Sequence, residues 1–245
     1  MGNSYAERLS DDYAGMSTER VLGVDGCKAG WFGITLDGTT VRGYVAPTIG
    51  ELVTDAESDG PLAVVAVDIP IGMPDEGYRT ADLEARKAVG RLHSSVFMTP
   101  VRLTLNETRH DLASAINRRH TGQGMSIQAF GILPKVREVD TWLRHTRHRV
   151  VEVHPEVSFA TIAGTPLTVR KSTWAGAEER RRLLATQDIT IPRNLGVAGM
   201  KAAVDDVLDA AVAAWTARRV HEGRAETIPA NPQEFSDGLT CAIWR

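Results

Sequence analysis

Val21-Leu22-Gly23-Val24-Asp25-Gly26 and, further along, Val64-Val65-Ala66-Val67-Asp68-Ile69-Pro70-Ile71-Gly72 are two apolar, β-type runs that each end on an aspartate. A carboxylate at the tip of a buried strand is costly to desolvate and adds nothing to packing, so two of them point to a site that uses negative charge. A divalent metal is the natural user.

Around these runs, residues 30–36 and 40–45 read as two further strands joined by an Asp37-Gly38 turn, so three consecutive strands open the fold. Residues 48–58 read as a short helix. The nearly continuous apolar run over 62–69 suits a central strand covered on both faces. The more polar stretch 73–149 carries helical patterns at about 80–89, 107–119 and 126–145 and reads as an inserted helical layer. Residues 150–153 return to a strand, and 171–185 and 200–219 read as amphipathic helices. The polar residues 1–19 read as a loose extension.

Composition narrows the function. A chain of 245 residues accommodates one large α/β domain or two small ones. Its net charge of −3, from 28 basic and 31 acidic residues, gives no global signature of nucleic-acid binding, so such a partner has to be held by a local patch. Cys27 and Cys241 cannot build a disulfide framework or a four-ligand zinc site, and Cys27 reads as space-filling beside the first strand. There is no run of about 20 apolar residues and no signal-peptide pattern over 1–20, so a cytoplasmic protein without a membrane partner is expected. Gly23 and Gly26 do not make a dinucleotide fingerprint, and no GxxxxGK[ST] phosphate loop occurs.

The remaining acids fall into two groups. On the last helix, Val204, Val207, Leu208, Ala211, Val212 and Trp215 share one arc, with Asp205, Asp206 and Asp209 on the adjoining one. Asp205 and Asp206 suit the positive end of a helix dipole. Asp209 shares a face with either and offers a two-carboxylate pincer. In Glu152-Val153-His154-Pro155-Glu156, alternation puts Glu152, His154 and Glu156 on one side if the strand continues past Pro155. His154 reads equally as a hydrogen-bonded core histidine or a catalytic one. Glu152, flanked by valines, needs a partner. If Asp25, Asp68, Glu152 and Asp206 or Asp209 converge, each pair at about 4 Å repels by roughly 4 kcal/mol at an effective dielectric near 20. Protonation or bound cations must relieve this. Oxygen-only ligands favour Mg2+ or Mn2+, and two such ions would activate a water and stabilise the leaving oxygen in phosphodiester cleavage.

Five blocks in order, Gly23-Val24-Asp25-Gly26-Cys27-Lys28-Ala29-Gly30-Trp31, Val67-Asp68-Ile69-Pro70-Ile71-Gly72-Met73-Pro74, Arg91-Leu92-His93-Ser94-Ser95-Val96-Phe97, Glu152-Val153-His154-Pro155-Glu156-Val157-Ser158-Phe159 and Asp205-Asp206-Val207-Leu208-Asp209-Ala210, resemble the domain of unknown function 429 family. That family is described as predicted ribonuclease H-like nucleases, and the resemblance covers roughly residues 21–245. It implies an α/β, ribonuclease H-like three-layer fold with a mixed five-stranded sheet, as a single domain over 20–245 with a helical insertion at about 73–149. It also implies Asp25, Asp68, Asp206 and Asp209 as ligands of Mg2+ or Mn2+. Glu152 joins them in the expected catalytic set from this family's own block, because ribonuclease H-like enzymes do not require a glutamate there. Lys28, Arg91, Ser94, Ser95 and His154 are candidate substrate contacts, with Lys135 and Lys171 behind them, against the alternative that isolated basic residues are simply solvated. The basic runs 144–149 and 180–182 read as helix faces or termini.

The function expected is two-metal hydrolysis of nucleic acid or a nucleotide. The alternatives are a phosphotransferase or ATPase of the actin and sugar kinase superfamily, or a binding module on the same fold that lacks turnover. Oligomeric state stays open, a homodimer included.

Overall fold

The opening apolar runs form β1 (Val21–Cys27), β2 (Gly30–Asp37) and β3 (Thr40–Ala46), an antiparallel meander, in a computed structural model that describes residues 20–245. The extension expected over 1–19 lies outside the described residues. Gly38 closes the β2–β3 hairpin at φ 55°, a left-handed conformation that glycine adopts without steric penalty. Helix α1 (Ile49–Glu57) opens on a capping box between Thr48 and Glu51. β4 (Val64–Val67) then lies parallel to β1. The polar stretch that follows supplies α2 (Thr80–Ala88), α3 (His110–Thr121) and α4 (Ile127–Leu143), with 3-10 turns at Gly90–Ser95 and Arg102–Thr104. After β5 (Val150–Val153) come α5 (Pro155–Ala163), α6 (Trp174–Ala185), α7 (Gly196–Gly199) and α8 (Val204–His221), and the chain closes on β6 (Thr227–Glu234) and β7 (Thr240–Trp244).

These strands make one mixed sheet in the order β3-β2-β1-β4-β5-β7-β6. Seven strands replace the expected five, because β6 and β7 extend the sheet beyond β5. Pro229 and Pro232 argue against a strand over β6; it is tolerated because β6 is the edge strand, and its ladder is interrupted between Ile228 and Gln233. A second correction concerns Pro155. The strand stops at Val153, and Pro155 is the first residue of α5, where its missing N–H removes no helical bond.

Alternation along the strands sends Val21, Ala66, Val151 and Val153 toward α5, α6 and α8, and Leu22, Val24, Val65 and Val67 toward α1 and α4. Helix α8 lies directly on β1. A Cβ built at Gly23 would stand 2.0 Å from Ala214 N and 2.2 Å from Ala210 O. The fully buried Ala210, Ala211, Ala213, Ala214 and Ala217 keep this approach close. Val204, expected on the inward arc, is exposed instead, and the continuously buried part of the helix begins at Leu208. Among the described residues no helix is long and apolar enough to cross a membrane.

Candidate active site

Asp25 and Asp68 directly follow Val24 and Val67, which are partners in the parallel β1–β4 register. The Asp68 N–H donates to the Val24 carbonyl at 2.9 Å. The two residues therefore stand side by side near the C-terminal ends of adjacent parallel strands, where open α/β sheets place their ligand crevices. Period-2 alternation from Gly23 and Ala66 turns both toward α8. Asp209, fully buried on α8, meets them there, at a depth set by the close packing over Gly23. Lys171, just ahead of α6, donates from Nζ to Asp209 Oδ2. The other oxygen, Oδ1, is buried with no hydrogen-bond partner among the described residues.

These groups act on one another electrostatically. Burial, reinforced by Asp68 and Asp209, holds the Asp25 carboxyl well above the usual carboxylate range. Burial and then Asp209 push Asp68 up to about 8. Asp209 rises to about 6, burial outweighing the pull of Lys171. Burial works against the charge of Lys171, yet Asp209, Asp68 and Asp25 together hold its ammonium above the ordinary lysine value.

A pH dependence follows. An unfolded aspartate ionises near pH 3.9. Between about 4 and the folded value of about 8, the native state keeps a proton on Asp68 that the unfolded chain gives up, so this contribution to stability is full at low pH and is lost as pH rises. In the presence of a chelator, the Tm advantage of Asp68→Asn over the parent should grow across that window. A difference independent of pH would contradict a half-buried Asp68 that keeps its proton.

The other candidates are distributed around this cluster. Asp206 Oδ2 accepts from the Ala203 N–H at 2.9 Å and so caps the first turn of α8, while its charge still helps to raise Asp25. Glu152 belongs to the opposite face of the sheet, because its neighbours Val151 and Val153 pack toward α8. Its carboxylate takes Arg79 Nη1 at 2.9 Å and the Ile71 N–H at 2.7 Å. Arg79 also binds Asp82 at 2.7 Å and the carbonyls of Ile71 and Gly72, each at 3.2 Å. This buried ion triad fixes the loop that follows Asp68. Glu156 pairs with Arg180 at 2.6 Å, both buried, so Arg180 is not on a solvated helix face.

A cavity of about 240 Å³ opens beside Asp25 and Asp68, walled by Phe97, Thr99, Lys135 and His154. Thr99 Oγ1 and His154 Nδ1 are buried without hydrogen-bond partners among the described residues. Burial lowers the His154 pKa, which keeps the ring neutral, and Nε2 lies 3.4 Å from the Ser95 carbonyl. Lys135 Nζ donates to the Gly30 carbonyl and sits 4.1 Å over the Trp31 ring. Ser95 reaches the cavity wall; Lys28, Arg91 and Ser94 are exposed and do not line it. Cys27 is buried with its thiol pKa pushed up by desolvation, as suits a packing residue.

The donors here suit a hard, oxygen-seeking cation: two carboxylates, Asp25 and Asp68, side by side on adjacent parallel strands. Among the described residues, no three His, Cys, Asp or Glu side chains are grouped so as to hold one ion. Mg2+ is commonly held through only one or two carboxylates, with water and substrate phosphate completing its shell, so a pair such as Asp25 and Asp68 fits it.

Arg79 and Thr99 escaped the sequence reading. Arg79 lies in no apolar period, and its partners come from distant segments. Only the need of Glu152 for a counter-charge hinted at it. The sequence profile of the family described as "Protein of unknown function (DUF429)" matches residues 23–234, which takes in every carboxylate of the cluster. No curated protein and no solved structure matches the chain.

Proposed function

The chain belongs to the family described as "Protein of unknown function (DUF429)", and we propose that it is a metal-dependent phosphodiester hydrolase of ribonuclease H-like type acting on nucleic acid or a nucleotide. The observation that carries this reading is the convergence of Asp25, Asp68 and Asp209 from three distant segments into one mutually repelling cluster, with Asp209 fully buried and the other two half-buried. Further support comes from the antiparallel three-strand start and from the placing of the acids on the first strand, after the fourth and on α8, the arrangement that the family resemblance implies.

In this reading Asp25 and Asp68 hold a divalent ion, Mg2+ or Mn2+, which would lower the pKa of water and neutralise charge on a phosphate. Asp209 closes the cluster from above. The cavity walled by Lys135, Thr99 and His154 receives the substrate beside the carboxylates, with Lys135 offering charge and the unpartnered Thr99 hydroxyl and His154 nitrogen offering hydrogen bonds. The Arg79 triad keeps the loop after Asp68 from moving.

The test is cleavage of single-stranded and structured polynucleotides by the purified protein with Mn2+. Loss of residues that merely orient metal ligands costs 10–100-fold, so removing a ligand in Asp25→Asn or Asp68→Asn should cost about 100-fold or more. A parent that cleaves none of these substrates, or variants that cleave as fast as the parent, would overturn the reading. ATP turnover abolished by the same substitutions would instead favour a phosphotransferase.

A further inference from the structure

The backbone on either side of Lys171 is pinned by a network of hydrogen bonds. Arg180 Nη1 donates to the Val169 carbonyl at 3.1 Å and to the Gly176 carbonyl at 2.9 Å. The Thr173 N–H and hydroxyl both close on the Arg170 carbonyl, at 3.0 and 2.8 Å. A Cβ at Gly176 would lie 2.0 Å from that same oxygen, so the first turn of α6 is packed against the segment. Arg180 is itself locked by Glu156. The network delivers one ammonium into a cluster of three carboxylates, where it takes Asp209 Oδ2 and leaves Oδ1 buried and unpartnered.

Once all three carboxylates are ionised, one positive charge does not balance them. A divalent ion beside Asp25 and Asp68 would supply the rest, whereas one at Asp209 would face the ammonium directly. Like charges repel strongly at such short range in a site of low effective dielectric, and a doubly charged ion meets twice the repulsion of a unit charge. Lys171 on Oδ2 therefore disfavours a divalent ion at Asp209 relative to one at Asp25 and Asp68.

We infer that Lys171 Nζ takes the place of one of the two cations such a centre would otherwise hold, so that the protein binds a single divalent ion, at Asp25 and Asp68, with a fixed ammonium at Asp209 as the second positive centre. This rests on the metal-dependent reading above and refines it from two ions to one. The ammonium holds Asp209 in place and presents a permanent positive charge to a substrate phosphate, with no need for a second ion to be recruited.

The test counts ions and needs no turnover. Full-length protein is titrated with Mn2+, and free Mn2+ is read by electron paramagnetic resonance. The parent should bind one ion per chain, Lys171→Gln two, and Lys171→Arg one, with circular dichroism confirming folded protein. A parent that binds two ions overturns the inference while leaving the metal-dependent reading intact, and this count decides even if Lys171→Gln does not fold. A folded Lys171→Gln that still binds one ion also overturns it. A parent that binds none removes the inference and the metal-dependent reading together.

Discussion

Gly23→Ala should lose more than about 3 kcal/mol of stability, beyond the usual range for an overpacked core. The added methyl would sit 2.0 Å from Ala214 N and 2.2 Å from Ala210 O, and these are backbone atoms of α8, with no rotamer to change. The whole helix must lift from β1. Since domains of this kind are stable by only about 5–15 kcal/mol, a large share of the margin goes with one methyl group. The same shift would carry Asp209 away from Asp25 and Asp68, so residual folded protein should also lose its site. Gly33→Ala is the control: its Cβ would meet only side-chain atoms, Leu22 Cδ1 at 3.0 Å and Leu52 Cδ2 at 3.2 Å, which can yield. Urea unfolding should therefore place Gly23→Ala far below Gly33→Ala. Equal midpoints would mean that the close helix–strand approach does not govern stability.

Arg79→Ala should cost about 3 to 5 kcal/mol, the range for stripping one partner from a buried ion pair. Arg79, Asp82 and Glu152 are 1%, 2% and 4% exposed, so water cannot take over from the lost guanidinium. Neutralising the whole group tells a structural triad from a metal ligand. In the triple variant Arg79→Met, Asp82→Asn, Glu152→Gln, the amide oxygens can still accept from the Thr99 and Ile71 N–H groups. That variant should recover most of the lost stability and keep its Mn2+ binding. A triple variant that folds but no longer binds Mn2+ would return Glu152 to the metal site.

The parts of the fold legible in the sequence were those governed by local rules. Apolar runs and the Asp37-Gly38 turn placed β1 to β3, and residues 48–58 read as the helix that became α1. β6 was not legible because its prolines contradict a strand unless it is known to be an edge, and edge position is a property of the finished sheet. Pro155 was ambiguous for a similar reason, since the same residue ends one element and opens the next. Within the site, Asp25 and Asp68 were legible because each ends a buried strand. The separation of Glu152 from them was legible in principle: alternation from Val151 and Val153 turns it away from α8. Lys171 was visible only as one basic residue among many, because its pairing with Asp209 depends on how α6 and α8 pack.

The central claim is that Asp25 and Asp68 form a cation site at the ends of β1 and β4. Crystals grown with Mn2+ and measured at the manganese absorption edge test it most directly. The account predicts one anomalous peak beside Asp25 and Asp68, with Lys171 still on Asp209. Well-ordered carboxylates at 25 and 68 with no peak between them, or with each neutralised by its own arginine, would contradict it.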